Sequence, residues 1–302
     1  MAKIAFKDRF KAWWEGYDPA SVPQPRKRRV TEDTVAQKRS CPHGPEAETL
    51  HLLFGNGYHR PGGPDLLFSM LQRCDLKAGH NTLVLGCGTG GICRDLVERY
   101  RVSVTGMEPN RALAEVGAEM AHEWDLGQQA RIGAVDLVHV ELSAQRHHLV
   151  LAPLELHLIE DRYAIYRTIE KSLRKRGVFA FSQYIAANDA DGVALANSLV
   201  SQIEPEIPPL LHERDEMRKL VDAGMEPFLA EDFTDAVLKA TIEVFAGWQR
   251  AVEAMSDYAE QPRMLQELVR IVEHWQKRTD AIKAGKLRVC LFYAAKNQNE
   301  LF

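Results

Sequence analysis

Three features of this sequence have the residue types and spacing to do chemistry. Gly86-Cys87-Gly88-Thr89-Gly90-Gly91 follows the apolar run Thr82 to Leu85 and precedes helical spacing at Ile92, Leu96, Val97 and Tyr100. Strand, glycine turn and helix together let backbone N–H groups approach a nucleotide at a helix N-terminus. A second apolar run, Val102 to Met107, ends on Glu108, about 20 residues beyond the first glycine, where an acid takes ribose hydroxyls. His157 lies in a loop between an apolar run and a helix, where its near-neutral ionisation suits it to receive a proton and where a lone histidine is more often a hydrogen-bonded structural residue. Gly86, Gly88 and Gly91 also satisfy the dinucleotide pattern GXGXXG, so glycine spacing alone leaves NAD open. Cys87 reads as a small residue packed under a ligand loop.

These residues must be positioned by alternating strands and helices. The pattern predicts helices over Pro45–Phe54, Pro64–Leu76 and Arg111–Trp124, and a third strand within Gln128–Val140 that carries Asp136 near its end. Leu149–Leu151 reads as a fourth strand, Arg162–Lys175 as a helix stopped by Arg176-Gly177, and Val178–Ile185 as a fifth strand. Helices are expected over Asn188–Ile203 and Leu211–Asp222, with Pro205, Pro208 and Pro209 between them. Gly224–Phe233 reads as a sixth strand. Helices over Asp235–Met255 and Pro262–Ala284 follow, and Leu287–Ala295 closes the sheet.

Asn81–Asn110 resembles motif I and the following acidic strand end of class I S-adenosylmethionine-dependent methyltransferases, in which LGCGTG is a usual wording. FGNGYHRPGG, Phe54 to Gly63, resembles the FG-x-x-Y/F-x-S-x-GG segment ahead of motif I in phosphobase (phosphoethanolamine) N-methyltransferases. Tyr58 takes the aromatic position and Arg60 stands where those enzymes usually carry Ser. Leu156, His157, Ile159 and Asp161 match their L-H-x-I-x-D loop, whereas Lys175-Arg176-Gly177 replaces a K-P-G-G turn. The resemblance covers about residues 54 to 185.

The resemblance implies an α/β fold: a Rossmann-like, doubly wound, seven-stranded and mostly parallel sheet with an antiparallel last strand and a helical cap or insertion. It implies S-adenosyl-L-methionine as cofactor and methyl transfer to a small-molecule acceptor, at nitrogen or oxygen. Gly86, Cys87, Gly88 and Gly90 would approach the methionyl and ribose part, Glu108 and Pro109 would meet the ribose, and Asp136 would take the adenine. Tyr58 would line the acceptor side or shield the sulfonium through its ring face, and His157 would take or orient the acceptor proton. Two further positions depart from the pattern. Val84 replaces the acid before the glycine turn, and His147-His148 replaces the Phe-Asp that usually starts the fourth strand. Val84 motivates a second reading, a non-catalytic methyltransferase-like domain that binds a partner through its N-terminal helix. A nucleotide-binding oxidoreductase is the third.

At 302 residues, with 45% hydrophobic and 26% charged residues, the chain is of ordinary globular composition and large enough for one domain with a cap. The expected division is 1–43 for an N-terminal amphipathic helix and basic linker, 44–233 for the core, 234–285 for a helical insertion or lid, and 286–302 for the final strand. A net charge of −4 gives no electrostatic case for nucleic acid. The five cysteines form no CxxC pair and there is no His cluster at zinc spacing, so free thiols, no metal and a cytoplasmic location are expected. Phe6, Phe10, Trp13 and Trp14 share one helical face among lysines and arginines, a pattern that docks on its own domain or contacts a membrane surface.

Overall fold

Short apolar strands alternating with amphipathic helices bury both sheet faces by placing a largely parallel sheet between helical layers. The computed structural model, which describes residues 44–55, 57–246 and 262–297, has this architecture. The expected Ile4–Trp14 helix, the Pro23–Arg29 linker, Cys41, Trp248 and Val252 lie outside the described residues.

Helices α1 (Gly44–Phe54) and α2 (Gly63–Leu71) lead into β1 (Asn81–Leu85), α3 (Gly91–Tyr100), β2 (Ser103–Glu108), α4 (Arg111–Glu123) and β3 (Ala130–Ala134). β4 (His147–Pro153), a short turn of 3-10 helix (Leu156–Leu158), α5 (Arg162–Ser172) and β5 (Leu173–Ala186) follow. Then come α6 (Gly192–Leu199), α7 (Glu213–Asp222), β6 (Met225–Asp232), α8 (Thr234–Ala246), α9 (Pro262–Lys283) and β7 (Leu287–Lys296). The seven strands run β3-β2-β1-β4-β5-β7-β6, with β7 antiparallel to both its neighbours. Strand number and the antiparallel last strand agree with the expectation.

The period of two in the strands sorts side chains into two cores. Leu83 and Leu85 of β1 and Val150 of β4 pack with Ile165, Tyr166 and Ile169 of α5. Val84, Leu149 and Leu151 face the other way, toward Leu96 of α3, Val116 of α4 and Trp275 of α9. Val84 is fully buried there.

Boundaries differ where tertiary contacts overrule local pattern. α5 stops at Ser172, because Leu173 already pairs with His147 across the β4–β5 ladder. Arg176, with φ 63, and Gly177 therefore form an irregularity inside β5 and do not terminate a helix. A Cβ on Gly177 would press on the His147 and Arg174 carbonyls. α6 starts only at Gly192, where the Asp191 carboxylate accepts from the Val193 and Ala194 N–H groups. β3 ends at Ala134, which leaves Asp136 beyond the strand.

Candidate active site

A parallel sheet gathers its ligand site at the carboxyl ends of its strands, where the order reverses. Here the reversal lies between β1 and β4, with the glycine turn at the tip of β1 and Glu108 at the tip of β2. Gly86 donates to Met107 O at 2.8 Å, which ties the turn to β2. The buried Glu108 carboxylate accepts from Gly88 N–H at 2.7 Å and Asn110 N–H at 3.0 Å. Each carboxylate oxygen thus has one backbone donor and keeps a lone-pair site for a hydroxyl. Burial, then the Glu155 charge, pushes Glu108 up to about 7. Gly88 has φ +57, and a Cβ there would collide with the His59 ring, so the ring packs directly on the turn only because the side chain is missing. Cys87 is fully buried beneath the turn and would meet any Cβ added to Gly106. Gly90 is the left-handed N-cap of α3, and Pro109 is exposed between Glu108 and the N-cap Asn110.

FGNGYHRPGG lies over this turn. Gly57 O accepts from Gly91 N–H at 2.8 Å, and a Cβ on Gly91 would strike the Gly57 backbone and the Tyr58 ring. Gly91 is therefore a packing glycine, and the N-terminus of α3 is covered by protein, where a dinucleotide pyrophosphate would need it open. Tyr58 is buried and donates to Asp95 of α3 at 2.5 Å. Burial and the Asp95 carboxylate hold its phenol protonated. The ring lines a small, mainly apolar cavity of about 50 Å³ with Leu66, Ile92, Pro153 and Phe233. Arg60 reaches back to the tip of β4, donating to Pro153 O at 2.5 Å and pairing with Glu155.

His157 sits in the 3-10 turn after β4, 1% exposed, with Tyr184 of β5 edge-on at 5.0 Å. Its Nε2 meets Glu204 at 3.3 Å, and its Nδ1 has no hydrogen-bond partner among the described residues. Glu204 also pairs with Arg278 of α9 and lies 3.8 Å from His274, which itself meets Ser201 at 3.1 Å. Although burial opposes its ionisation, the His157 and Arg278 partners hold Glu204 well below the usual carboxylate range. A carboxylate facing Nε2 places the imidazole proton there and leaves the lone pair on Nδ1. Burial, outweighing the Glu204 charge, holds His157 below the ordinary histidine value.

The structure therefore brings Gly86, Gly88 and Glu108 together, and sets Tyr58 and His157 in two separate surroundings. Asp136 stands apart: its side chain is 63% exposed, and its oxygens take Val138 N–H at 2.9 Å and the His139 ring at 2.7 Å. Glu155, Asp95, Glu204, Tyr184 and Arg278 carry no sequence motif. The one signal was Arg60 in a serine position, since an arginine in a buried loop demands an acid nearby.

The donor set fits a nucleoside with a charged tail: a carboxylate for hydroxyls, a glycine turn at the strand tip and an ion pair beside it. Residues 83–177 match the family described as "Methyltransferase domain". The chain is 25% identical over 247 residues to phosphoethanolamine N-methyltransferase 1 of Triticum aestivum, covering 81% of this chain and 47% of that protein. With 27-O-demethylrifamycin SV methyltransferase of Amycolatopsis mediterranei (strain S699) it shares 23% identity, over 65% of this chain and 69% of the relative. Among solved structures, Haemonchus contortus phosphoethanolamine N-methyltransferase 2 in complex with S-adenosyl-L-methionine superposes with a TM-score of 0.73. The identity is 17%, covering 83% of this chain and 57% of that one. The chain spans about half the length of the plant relatives it matches. Motif, strand order and these likenesses agree: residues 83–177 match a methyltransferase domain, and the sheet around them has the fold of the methyltransferase structures it superposes on.

Proposed function

We propose that this chain transfers a methyl group from S-adenosylmethionine to the nitrogen or oxygen of a small-molecule acceptor. The observation that carries the reading is the buried Glu108 carboxylate, fixed at the strand tips by the Gly88 and Asn110 N–H groups beside the glycine turn. The relatives named for phosphoethanolamine and for a rifamycin precursor support a small acceptor. When bound, the cofactor supplies an activated methyl with a neutral thioether as leaving group. The chain has to hold the acceptor in line and exclude water, which contributes roughly 7–11 kcal/mol. Gly86, Gly88 and Gly90 give close approach, Glu108 takes the ribose hydroxyls, and Pro109 shapes the turn beside it. Asp136 would reach the adenine only by leaving its local bonds. Tyr58 bounds the acceptor side, and His157 receives the acceptor proton at Nδ1.

Calorimetry with S-adenosylhomocysteine, S-adenosylmethionine and NAD tests the cofactor assignment. Binding of the first two and not of NAD is the expected result; no binding of either at high micromolar concentration would overturn it. Incorporation of labelled methyl into metabolite pools then separates an enzyme from a domain that only binds.

A pH dependence follows from Glu108. Its ionised form accepts ribose hydroxyls with both oxygens, and protonation removes one of those sites. With ionisation near 7, S-adenosylhomocysteine affinity should rise about tenfold from pH 6 to pH 8. Glu108→Gln should flatten that rise, and a rise persisting in the variant would assign it elsewhere.

A further inference from the structure

Two of the departures from the family pattern, Arg60 for Ser and Val84 for an acid, bear on the same strand tips. Val84 is wholly buried in the core at the tip of β1 and offers nothing to a ligand. Directly beyond it, a Cβ on Gly86 would fall on the Glu155 carboxylate, so that carboxylate rests against the first residue of the glycine turn. Glu155 is 5% exposed, and Arg60 binds both it and the carbonyl of Pro153. The pair thus spans the tips of β1 and β4. Glu108, the ribose acid, lies one strand away at the tip of β2, near enough that its ionisation responds to Glu155. A nucleoside lying along the strand tips with its ribose on Glu108 would extend its 5′ substituent over Gly86 and onto Arg60 and Glu155.

We infer that Arg60 and Glu155 form a two-charge clamp for the zwitterionic amino-acid end of the cofactor, with Glu155 standing in for the acid that Val84 lacks. The inference rests on the methyl-transfer reading. The charges match one for one: the ligand's ammonium faces Glu155 and its carboxylate faces Arg60. Exchange of partners buries no net charge, and an uncompensated buried charge is what makes such sites costly. Arg60 has five donors, of which Pro153 O and Glu155 engage two, and a carboxylate can accept about four bonds. Each partner therefore keeps capacity for the ligand while still holding the other in place.

The test compares S-adenosylhomocysteine with 5′-methylthioadenosine, which keeps the nucleoside and thioether and lacks the amino-acid end. Calorimetry on the full chain should show Glu155→Gln and Arg60→Gln each weakening S-adenosylhomocysteine about 10–100-fold, the usual worth of a bond to a charged group. Affinity for 5′-methylthioadenosine should stay unchanged. Because each single change leaves one buried charge unpaired, the double variant Arg60→Gln/Glu155→Gln is included; it should keep its melting temperature and its 5′-methylthioadenosine affinity while losing the amino-acid ligand. Equal losses for both ligands in the double variant would show a purely structural pair and overturn the clamp, as would unchanged values for both. Tighter S-adenosylhomocysteine binding by Arg60→Gln would show that the guanidinium occupies the ligand's place, and would also overturn it. Wild-type protein that binds 5′-methylthioadenosine but not S-adenosylhomocysteine removes the clamp alone, whereas failure to bind either removes the methyl-transfer reading with it.

Discussion

His157→Gln should lower turnover by about 10²–10⁴-fold, the range a positioned general base contributes, and should leave S-adenosylhomocysteine affinity unchanged. His157 sits beyond the tip of β4, while the residues proposed to hold the cofactor cluster on β1 and β2, so the two roles separate in the two measurements. If His157 is the base, Nδ1 takes the proton, because Glu204 occupies Nε2 and Nδ1 is left without a partner among the described residues. Glutamine fills much of the ring's volume and can reach Glu204, but it cannot take a proton near neutrality. The displacement itself persists in the variant, since positioning is not lost, and the residual rate stays measurable. The pH profile gives a second reading. Burial holds His157 below its usual value, so its lone pair is available throughout the neutral range. At saturating cofactor, turnover should fall only in acid, below the ordinary histidine range, and that limb should vanish in His157→Gln. Glu204→Gln should move the limb further into acid, since it removes the charge that favours imidazolium. Unchanged turnover in His157→Gln would eliminate it as the base.

The sheet was legible because its signals are local. Thr82–Leu85, Val102–Met107 and Leu287–Ala295 are apolar runs bounded by turn residues, and they appear as β1, β2 and β7 within one or two residues. The glycine turn and Glu108 were legible because backbone approach and an acid at a strand end leave a fixed spacing in sequence. Boundaries set by distant partners were not. Nothing near Leu173 announces that it will pair with His147, so the helix pattern reads on to Lys175. The charged half of the site was hidden for the same reason. Glu204 and Arg278 come from a proline-rich connection and from the middle of a long helix, where a charge ordinarily reads as solvated. Only the fold shows both buried against His157. Asp136 illustrates the converse: its place after the third strand suggested a ligand contact, and the side chain turns to its own loop.

Glu108→Ala should weaken S-adenosylhomocysteine by about 100-fold or more. A bond to a charged acceptor is worth about 1.5–3 kcal/mol, and two ribose hydroxyls bound by one carboxylate give at least about 3 kcal/mol. The carboxylate also accepts from Gly88 and Asn110 N–H, so alanine removes the strut that keeps the glycine turn against β2. Both effects act on the nucleoside side, and that fixes the pattern across ligands. S-adenosylhomocysteine and 5′-methylthioadenosine should lose affinity by the same factor, because each presents the ribose. Glu108→Gln separates the strut from the ribose contact: its single carbonyl can keep one turn N–H but cannot serve two hydroxyls, so affinity should fall between wild type and alanine while the melting temperature recovers. A loss confined to S-adenosylhomocysteine would place Glu108 at the amino-acid end and reverse the order of ligand parts along the strand tips. Unchanged affinity in Glu108→Ala would remove the carboxylate from the cofactor site, and with it the observation on which the methyl-transfer reading stands.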